Sequence, residues 1–221
     1  MCGRYGLISG EKEISKRFEI KEFKAEYRKN YNIAPTQKMP IVVRQSPNSI
    51  KLEYWGFTLG WSNKILINAQ AEKLAVSRVW KKAFLESRCI VPADYFFEWK
   101  KTTEGKKPYL IRLKNQKLMG FAGLILSYID DKGKDRQGFV IITTKPNSLM
   151  KKIHNRMPVI LRIEDEDEWL NPDNSEIELL EKMLLPISSD EMQCYEINTL
   201  VNSPKNNSEK ILQPHEKLKL I

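Results

Sequence analysis

Cysteine, histidine and long apolar runs are all scarce in this chain. Its 221 residues hold three cysteines, Cys2, Cys89 and Cys194. That odd number, without a C-x-x-C pair, argues against a disulfide framework or a structural zinc site and fits a reducing cytoplasm. No metal or other cofactor is expected. No segment approaches the roughly 18 apolar residues of a membrane span, and no apolar run follows Arg4 as a signal peptide would require. A soluble cytoplasmic monomer is therefore the expectation. Internal repeats and linkers are also missing, so one domain over 1–221 is the economical reading, with a Lys/Asn-rich tail from about 206. Basic residues are absent from 164–181, which carries nine acids. The remainder of the chain therefore holds +18 against a total of +9. Such polarisation suits a basic surface facing a polyanion, although a Lys-rich surface can equally serve solubility.

What the sequence does contain is a globular composition, 41% hydrophobic, and a pattern that turns from mixed to strand-rich. Residues 11–20 place Ile14 and Phe18 four apart among charges, as in a short amphipathic helix. Tyr31-Asn32-Ile33-Ala34-Pro35-Thr36 breaks any helix, because Pro35 lacks an amide hydrogen and restricts Ala34. Residues 40–45 and 49–55 read as a hairpin. Trp55, Phe57 and Trp61 then form an aromatic cluster that suits either a core or a stacking platform for unpaired bases. Ala75/Val79/Ala83 and Trp80/Phe84 repeat at i, i+4 and predict a helix over 71–86, with Asn68 just ahead of it as a cap or turn residue. Strands are predicted at 88–92, 94–100, 107–113, 118–127 and 137–144, a short helix near 147–153, acidic helices over 164–185 anchored by Trp169 and Leu179/Leu180, and a last strand at 192–197.

Four residues stand out chemically. Cys2 follows Met1 directly, and Met removal would leave its α-amine and thiol on adjacent carbons, a 1,2-aminothiol able to attack a carbonyl. In Tyr95-Phe96-Phe97-Glu98-Trp99, Glu98 shares a strand face with Phe96, and a carboxylate among aromatics must be solvated, paired or protonated. His154 sits at a loop-to-strand junction beside Arg156 and Pro158. Asn68 carries an amide that can orient a ligand. Each also has a purely structural reading, and position alone does not decide between them.

Taken in order, the motifs MCGRYG (1–6), YNIAPTQ (31–37), WG with a following Trp (55–61), NAQAE (68–72), RCIVPADYFFEW (88–99), PY (108–109), FAGL (121–124), TT (143–144), HNRMPVIL (154–161) and NSP (202–204) resemble the SOS response-associated peptidase (SRAP) family. That group includes proteins that cross-link to abasic sites in single-stranded DNA. The resemblance implies catalytic roles for Cys2, Asn68, Glu98 and His154. It implies DNA contacts around Arg4, Pro35, Thr36, Trp61, Gln70, Thr143 and Arg156. It also implies a covalent thiazolidine link through Cys2 to abasic single-stranded DNA, including strand junctions. Three positions depart from the family pattern: Gln70 stands for the usual Arg, Tyr95 for a Gly and Leu59 for a Pro. Two other readings stay open, a Cys–His or N-terminal-nucleophile peptidase and a non-catalytic single-stranded DNA binding module. By fold the expectation is α+β, mainly antiparallel sheets curled into a barrel-like core with flanking helices.

Overall fold

The computed structural model describes residues 2–21, 23, 26–45, 48–59, 64–115, 118–129 and 133–215. Trp61 and the end of the tail lie outside the described residues. The strands are β1 (Tyr5–Leu7), β2 (Asn30–Ile33), β3 (Lys38–Val43), β4 (Ser49–Trp55), β5 (Phe57–Thr58), β6 (Ile65–Leu66), β7 (Asn68–Gln70), β8 (Arg88–Ala93), β9 (Tyr95–Thr102), β10 (Gly105–Leu113), β11 (Met119–Ile129), β12 (Asp135–Thr144), β13 (Met157–Pro158) and β14 (Met192–Glu196). The α-helices are α1 (Glu11–Arg17), α2 (Lys81–Glu86), α3 (Ile163–Leu170) and α4 (Ile177–Lys182). The fold is α+β, as expected.

A closed barrel sits at the centre, its strands running β11, β8, β3, β4 and β12, with β12 pairing back onto β11. Every pairing in the ring is antiparallel except β12 with β4, where Gly138 and Phe139 lie opposite Tyr54 and Trp55. Closure leaves the ring without open edges and fills its interior with side chains. β8, buried from Arg88 to Ala93, reads accordingly as an almost unbroken apolar run. Trp55 stacks on Phe139 with ring centroids 6.4 Å apart and donates its indole N–H to the Ile67 carbonyl, so this tryptophan belongs to the core. Gly138 lets β4 approach closely, because a Cβ there would fall 2.6 Å from the Gly56 carbonyl oxygen.

β12 is longer than the barrel needs. Along one edge it pairs with β4 and then with β7; along the other it pairs with β11 and then with β13. Its last residues, Ile142 to Thr144, thus leave the ring flanked by two short strands. The segments carrying Asn68 and His154 are brought together in this way.

The second sheet runs β14, β10, β9, β1, β2, all antiparallel. Phe96 and Tyr5 turn into the main core, whereas Tyr95, Phe97 and Leu110 turn the other way into a smaller cluster with Ile197, Val201 and Ile211. This is the alternation read from the sequence of β9. The smaller cluster is fastened by Asn32. Its side-chain oxygen accepts from Arg4 Nη1 at 2.7 Å, and its amide nitrogen donates to the carbonyls of Val201, Ser203 and Asn206 at 3.2, 3.0 and 2.9 Å. Trp99 adds a bond from its indole N–H to Asn202.

The expected helix over 71–86 is not continuous. A 3-10 turn spans Ala71–Lys73 and the α-helix begins only at Lys81. Ser77 interrupts it: its carbonyl accepts from both Trp80 and Lys81, and its hydroxyl accepts from the Val79 amide, a local bond that competes with the helical ladder. Tertiary burial of Leu74, Trp80, Ala83 and Phe84 retains the apolar spacing without the helix. Asn68 accordingly is no cap; it opens strand β7.

Arg88 ties the helices to the barrel. Its guanidinium donates to the carbonyls of Phe84, Leu85, Trp169, Asn171 and Asn174 at 2.5–3.0 Å. Removing it leaves several buried acceptors unpaired, so Arg88→Met is expected to cost about 3–5 kcal/mol in urea denaturation, and Lys, with three donors, is not expected to restore it. Burial also pushes the Cys89 thiol well up. A proton held more tightly in the folded state supports the fold fully below the unfolded pKa, about 8.5, and that support is lost as pH rises toward the folded value. Cys89→Ala, measured against its own stability at neutral pH, should therefore lose stability less steeply between about pH 8.5 and about pH 10.5, by up to about 1.4 kcal/mol per unit.

Candidate functional site

The site begins with an ordinary antiparallel pairing. β1 lies along β9 with Tyr5 opposite Phe96, and the Phe97 amide donates to the Arg4 carbonyl at 3.0 Å. Running back from Tyr5, the chain places Cys2 where the Glu98 carboxylate acts on its thiol. Cys2 is 0% exposed and Glu98 3%. Burial first, and the Glu98 charge second, push the Cys2 thiol far above its ordinary range, opposed in part by the Arg4 backbone amide. The sulfur is therefore protonated at neutral pH, the opposite of the electropositive, partly exposed setting that creates a reactive thiolate.

Asn68 reaches the same place from β7, held to β12 with Asn68 opposite Ile141. Its amide nitrogen donates to the Cys2 carbonyl at 2.9 Å, while its side-chain oxygen is buried without a hydrogen-bond partner. That oxygen is an unpartnered acceptor on the side chain that holds residue 2.

His154 comes from the opposite flank, between a 3-10 turn at Met150–Lys152 and β13. Its Nδ1 lies 3.9 Å from Glu98 Oε1 and accepts the Arg156 backbone N–H at 3.1 Å. In the neutral ring this assigns the proton to Nε2. The imidazole side chain is about one-quarter exposed, so the site opens to solvent on the His154 side and closes on the Cys2 side. All four residues singled out for chemistry thus converge. The arrangement gathers a buried thiol, a carboxylate and an imidazole whose Nδ1 and Oε1 lie 3.9 Å apart, and an amide that holds the carbonyl of residue 2.

The residues expected to touch DNA are less uniform. Pro35 and Thr36 form a turn on which Thr36 is exposed with φ of +73°. That conformation is unfavourable for a β-branched residue. The turn is held by Thr36 N–H to the Trp55 carbonyl, Trp55 N–H to the Gln37 carbonyl, and Gln37 Oε1 accepting from the Ala34 amide and the Asn30 side chain. Gln70 ends β7 opposite Thr143, half-buried at the rim of the site. Thr143 is fully buried, its hydroxyl donating to the Ala69 carbonyl. Arg4 is half-buried on the outer face of β1, against Asn32, the Val201 carbonyl and the Trp99 ring. Arg156 is engaged with Glu72. Tyr95 belongs to the same outer face: its ring covers Gly6, where a Cβ would fall 2.1 Å from Tyr95 Cε2. This departure from the family pattern therefore packs away from Glu98. Sequence reasoning passed over Glu72 and Asn32, although both lie inside quoted motifs.

Comparison with known proteins identifies the family. A family model described as SOS response associated peptidase (SRAP) matches residues 1–204. The chain belongs to the SRAP family. Relatives of this SRAP protein include abasic site processing protein YoqW of Bacillus subtilis, 42% identical over 97% of the chain and 100% of the relative. YedK of Escherichia coli, also named an abasic site processing protein, is 31% identical over 83% of the chain and 84% of its own length. Among solved structures, a protein of Bacteroides thetaiotaomicron superposes with a TM-score of 0.86 at 26% identity, covering 97% of this chain and all of the other. For the SRAP chain, Thr36→Gly should raise stability by about 1 kcal/mol in thermal or urea unfolding, since glycine adopts a positive φ without the β-branched strain.

Proposed function

We propose that this SRAP protein processes abasic sites in single-stranded DNA by forming a covalent link through Cys2. The observation that carries the reading is the convergence of Cys2, Asn68, Glu98 and His154 at one place, buried at Cys2 and Glu98 and partly exposed at His154. The names of the curated relatives, abasic site processing proteins, supply the substrate class. Charge supports it as well, since +18 is carried outside the acidic 164–181 segment.

An abasic deoxyribose equilibrates between a closed hemiacetal and an open aldehyde, and only the aldehyde accepts an amine. Removal of Met1 frees the Cys2 α-amine. The carboxylate of Glu98 and the imidazole of His154 take a proton from the C1′ hydroxyl and deliver one to the ring oxygen, opening the sugar. The amine then adds to C1′ and water leaves, giving an imine. Asn68 holds the residue 2 carbonyl with its amide nitrogen and receives an amine N–H on its side-chain oxygen. The Cys2 sulfur adds to the imine carbon while its proton passes to nitrogen, closing a five-membered thiazolidine. Because amine and thiol are on neighbouring carbons, closure benefits from a large effective molarity. The net reaction releases one water, and the ring lacks the iminium needed for strand cleavage by β-elimination.

In this order of events the amine acts first and the sulfur second, whereas a Cys–His peptidase needs a thiolate that attacks at the outset. The strand would lie across the Pro35–Thr36 turn and Gln70, near exposed Arg78 and Lys81, with a monomer acting on single strands or at their junctions with duplex.

The test is a denaturing gel of the protein with an abasic oligonucleotide, with intact mass reporting Met1. Wild type should give a heat-stable adduct, Cys2→Ser only a reversible imine, and an uncleaved N-terminal extension neither. Glu98→Gln and His154→Ala should each slow adduct formation by about 10²–10⁴-fold. A heat-stable adduct formed by Cys2→Ser as readily as by wild type would overturn the thiazolidine mechanism.

A further inference from the structure

β14 is an end strand of the second sheet, with β10 on one side of it. Its register decides which main-chain groups face that neighbour. Ile197 N–H donates to the Pro108 carbonyl and Lys114 N–H to the Glu191 carbonyl. Gln193 and Tyr195, at even steps between Glu191 and Ile197, therefore also turn their N–H and C=O toward β10. Met192, Cys194 and Glu196 turn theirs to the outer edge. There the Met192 N–H returns to the Ser189 carbonyl, and the Glu196 carbonyl accepts from His215 N–H at 3.0 Å. Between them, the main-chain N–H and C=O of Cys194 bond to nothing among the described residues, although Cys194 is only 1% exposed. Buried main-chain groups ordinarily have partners. A hollow of about 330 Å³ lies at this edge, lined by Met192 and Cys194 together with Leu149 and Lys152 of the turn ahead of His154.

The chain is already aimed along the same edge. Residues 213–215 run antiparallel to the end of β14, with Pro214 opposite Ile197 and Asn198 N–H donating to the Gln213 carbonyl. Residues 216–221 lie outside the described residues. Their sequence, Glu216-Lys217-Leu218-Lys219-Leu220-Ile221, alternates charged and apolar side chains in the pattern of a half-buried strand. Continuing the register from Pro214 sets Glu216 opposite Tyr195, Lys217 opposite Cys194 and Leu218 opposite Gln193. Lys217 is then the residue that exchanges both main-chain bonds with Cys194. Opposite residues share a face, and Tyr195 and Gln193 share theirs with Leu110 and Arg112. On that face lies a cavity of about 380 Å³, lined by Ile8, Tyr95, Leu110, Leu113 and Leu212 together with Arg112.

We propose that residues 216–221 add to the outer edge of β14 as a sixth strand of the second sheet, with Leu218 and Leu220 over this cavity and Glu216 beside Arg112. The occupant is the chain's own segment because the bonds of Gln213 and His215 deliver it in register. Its alternation matches what the two faces offer, and its acid meets a guanidinium. The added strand supplies the partners that Cys194 lacks and closes an edge on which another chain could otherwise pair.

Hydrogen exchange by NMR reads the Cys194 amide directly. The full chain is compared with one ending at His215 and with Leu218→Asp/Leu220→Asp, folding being checked by circular dichroism. In the full chain this amide should be protected, and α-proton contacts should join Gln193 with Leu218 and Tyr195 with Glu216, the close non-hydrogen-bonded pairs. Both variants should exchange it about tenfold faster or more. A synthetic peptide of residues 216–221 should restore protection to the shortened chain and leave the full chain unchanged. Equal exchange in all three proteins would overturn the proposal, as would α-proton contacts in a different register. A shortened chain that the peptide does not protect also refutes it, the loss then belonging to residues 213–215. Protection that rises with protein concentration, together with a dimer in sedimentation, makes the occupant a second copy and refutes the intramolecular seat.

Discussion

The register between β1 and β9 is the constraint on which the site depends. Side chains alternate across a strand, so shifting this pairing by one residue would send Glu98 to the outer cluster and bring Trp99 inward. The pairing of Tyr5 with Phe96 prevents that, and both faces defend it. Inside, the Tyr5 ring packs edge-on to Trp55 and Phe121. Outside, the Tyr95 ring occupies the space that a side chain at Gly6 would need. Residue 2 is thereby delivered to a carboxylate that has nowhere else to turn. Cys2 lies outside β1 itself, and its position is borrowed from the sheet.

The same economy recurs in how buried polar groups are used. Asn32 satisfies its amide on three carbonyls and its oxygen on Arg4. Arg88 is surrounded by carbonyl oxygens rather than a carboxylate, and Arg17 pairs with buried Glu166 through two 2.6 Å bonds. Each group crosses between elements distant in sequence, so each fixes a relative position that apolar packing alone leaves adjustable. Asn68 serves in the same way, its amide nitrogen holding the Cys2 carbonyl from β7, while its side-chain oxygen is one of several buried polar atoms left without a hydrogen-bond partner.

Much of this was legible in the sequence, and the pattern of failure is physical. The long strands from Arg88 to Thr144 announced themselves through sustained apolar content, and the two faces of β9 through simple alternation. The helix expected over 71–86 failed because its apolar spacing records burial, which Leu74 and Phe84 achieve from different local conformations on either side of Ser77. Asn68 was assigned to a cap because the extension of β12 beyond the barrel, which turns it into a strand residue, depends on a pairing some seventy residues away. Glu72 escaped notice for a similar reason. Its partner lies at |i−j| of 84, and nothing in N-A-Q-A-E announces a fork with an arginine that far along. Cys2, Glu98 and His154 were visible as types of residue, but only the fold makes them neighbours.

The bonds of Asn32 have a consequence for how the molecule comes into being. Arg4 and Val201 are held through one shared side chain and a direct bond, although 197 positions separate them. During synthesis from the N-terminus, β1 and the residues before it emerge first, while the segment that braces their outer face emerges among the last. The earliest part of the protein therefore waits for the latest before its support is complete. Completion of the bonds that brace β1 is thus a late event in the history of each molecule, tied to the making of residues 201–206.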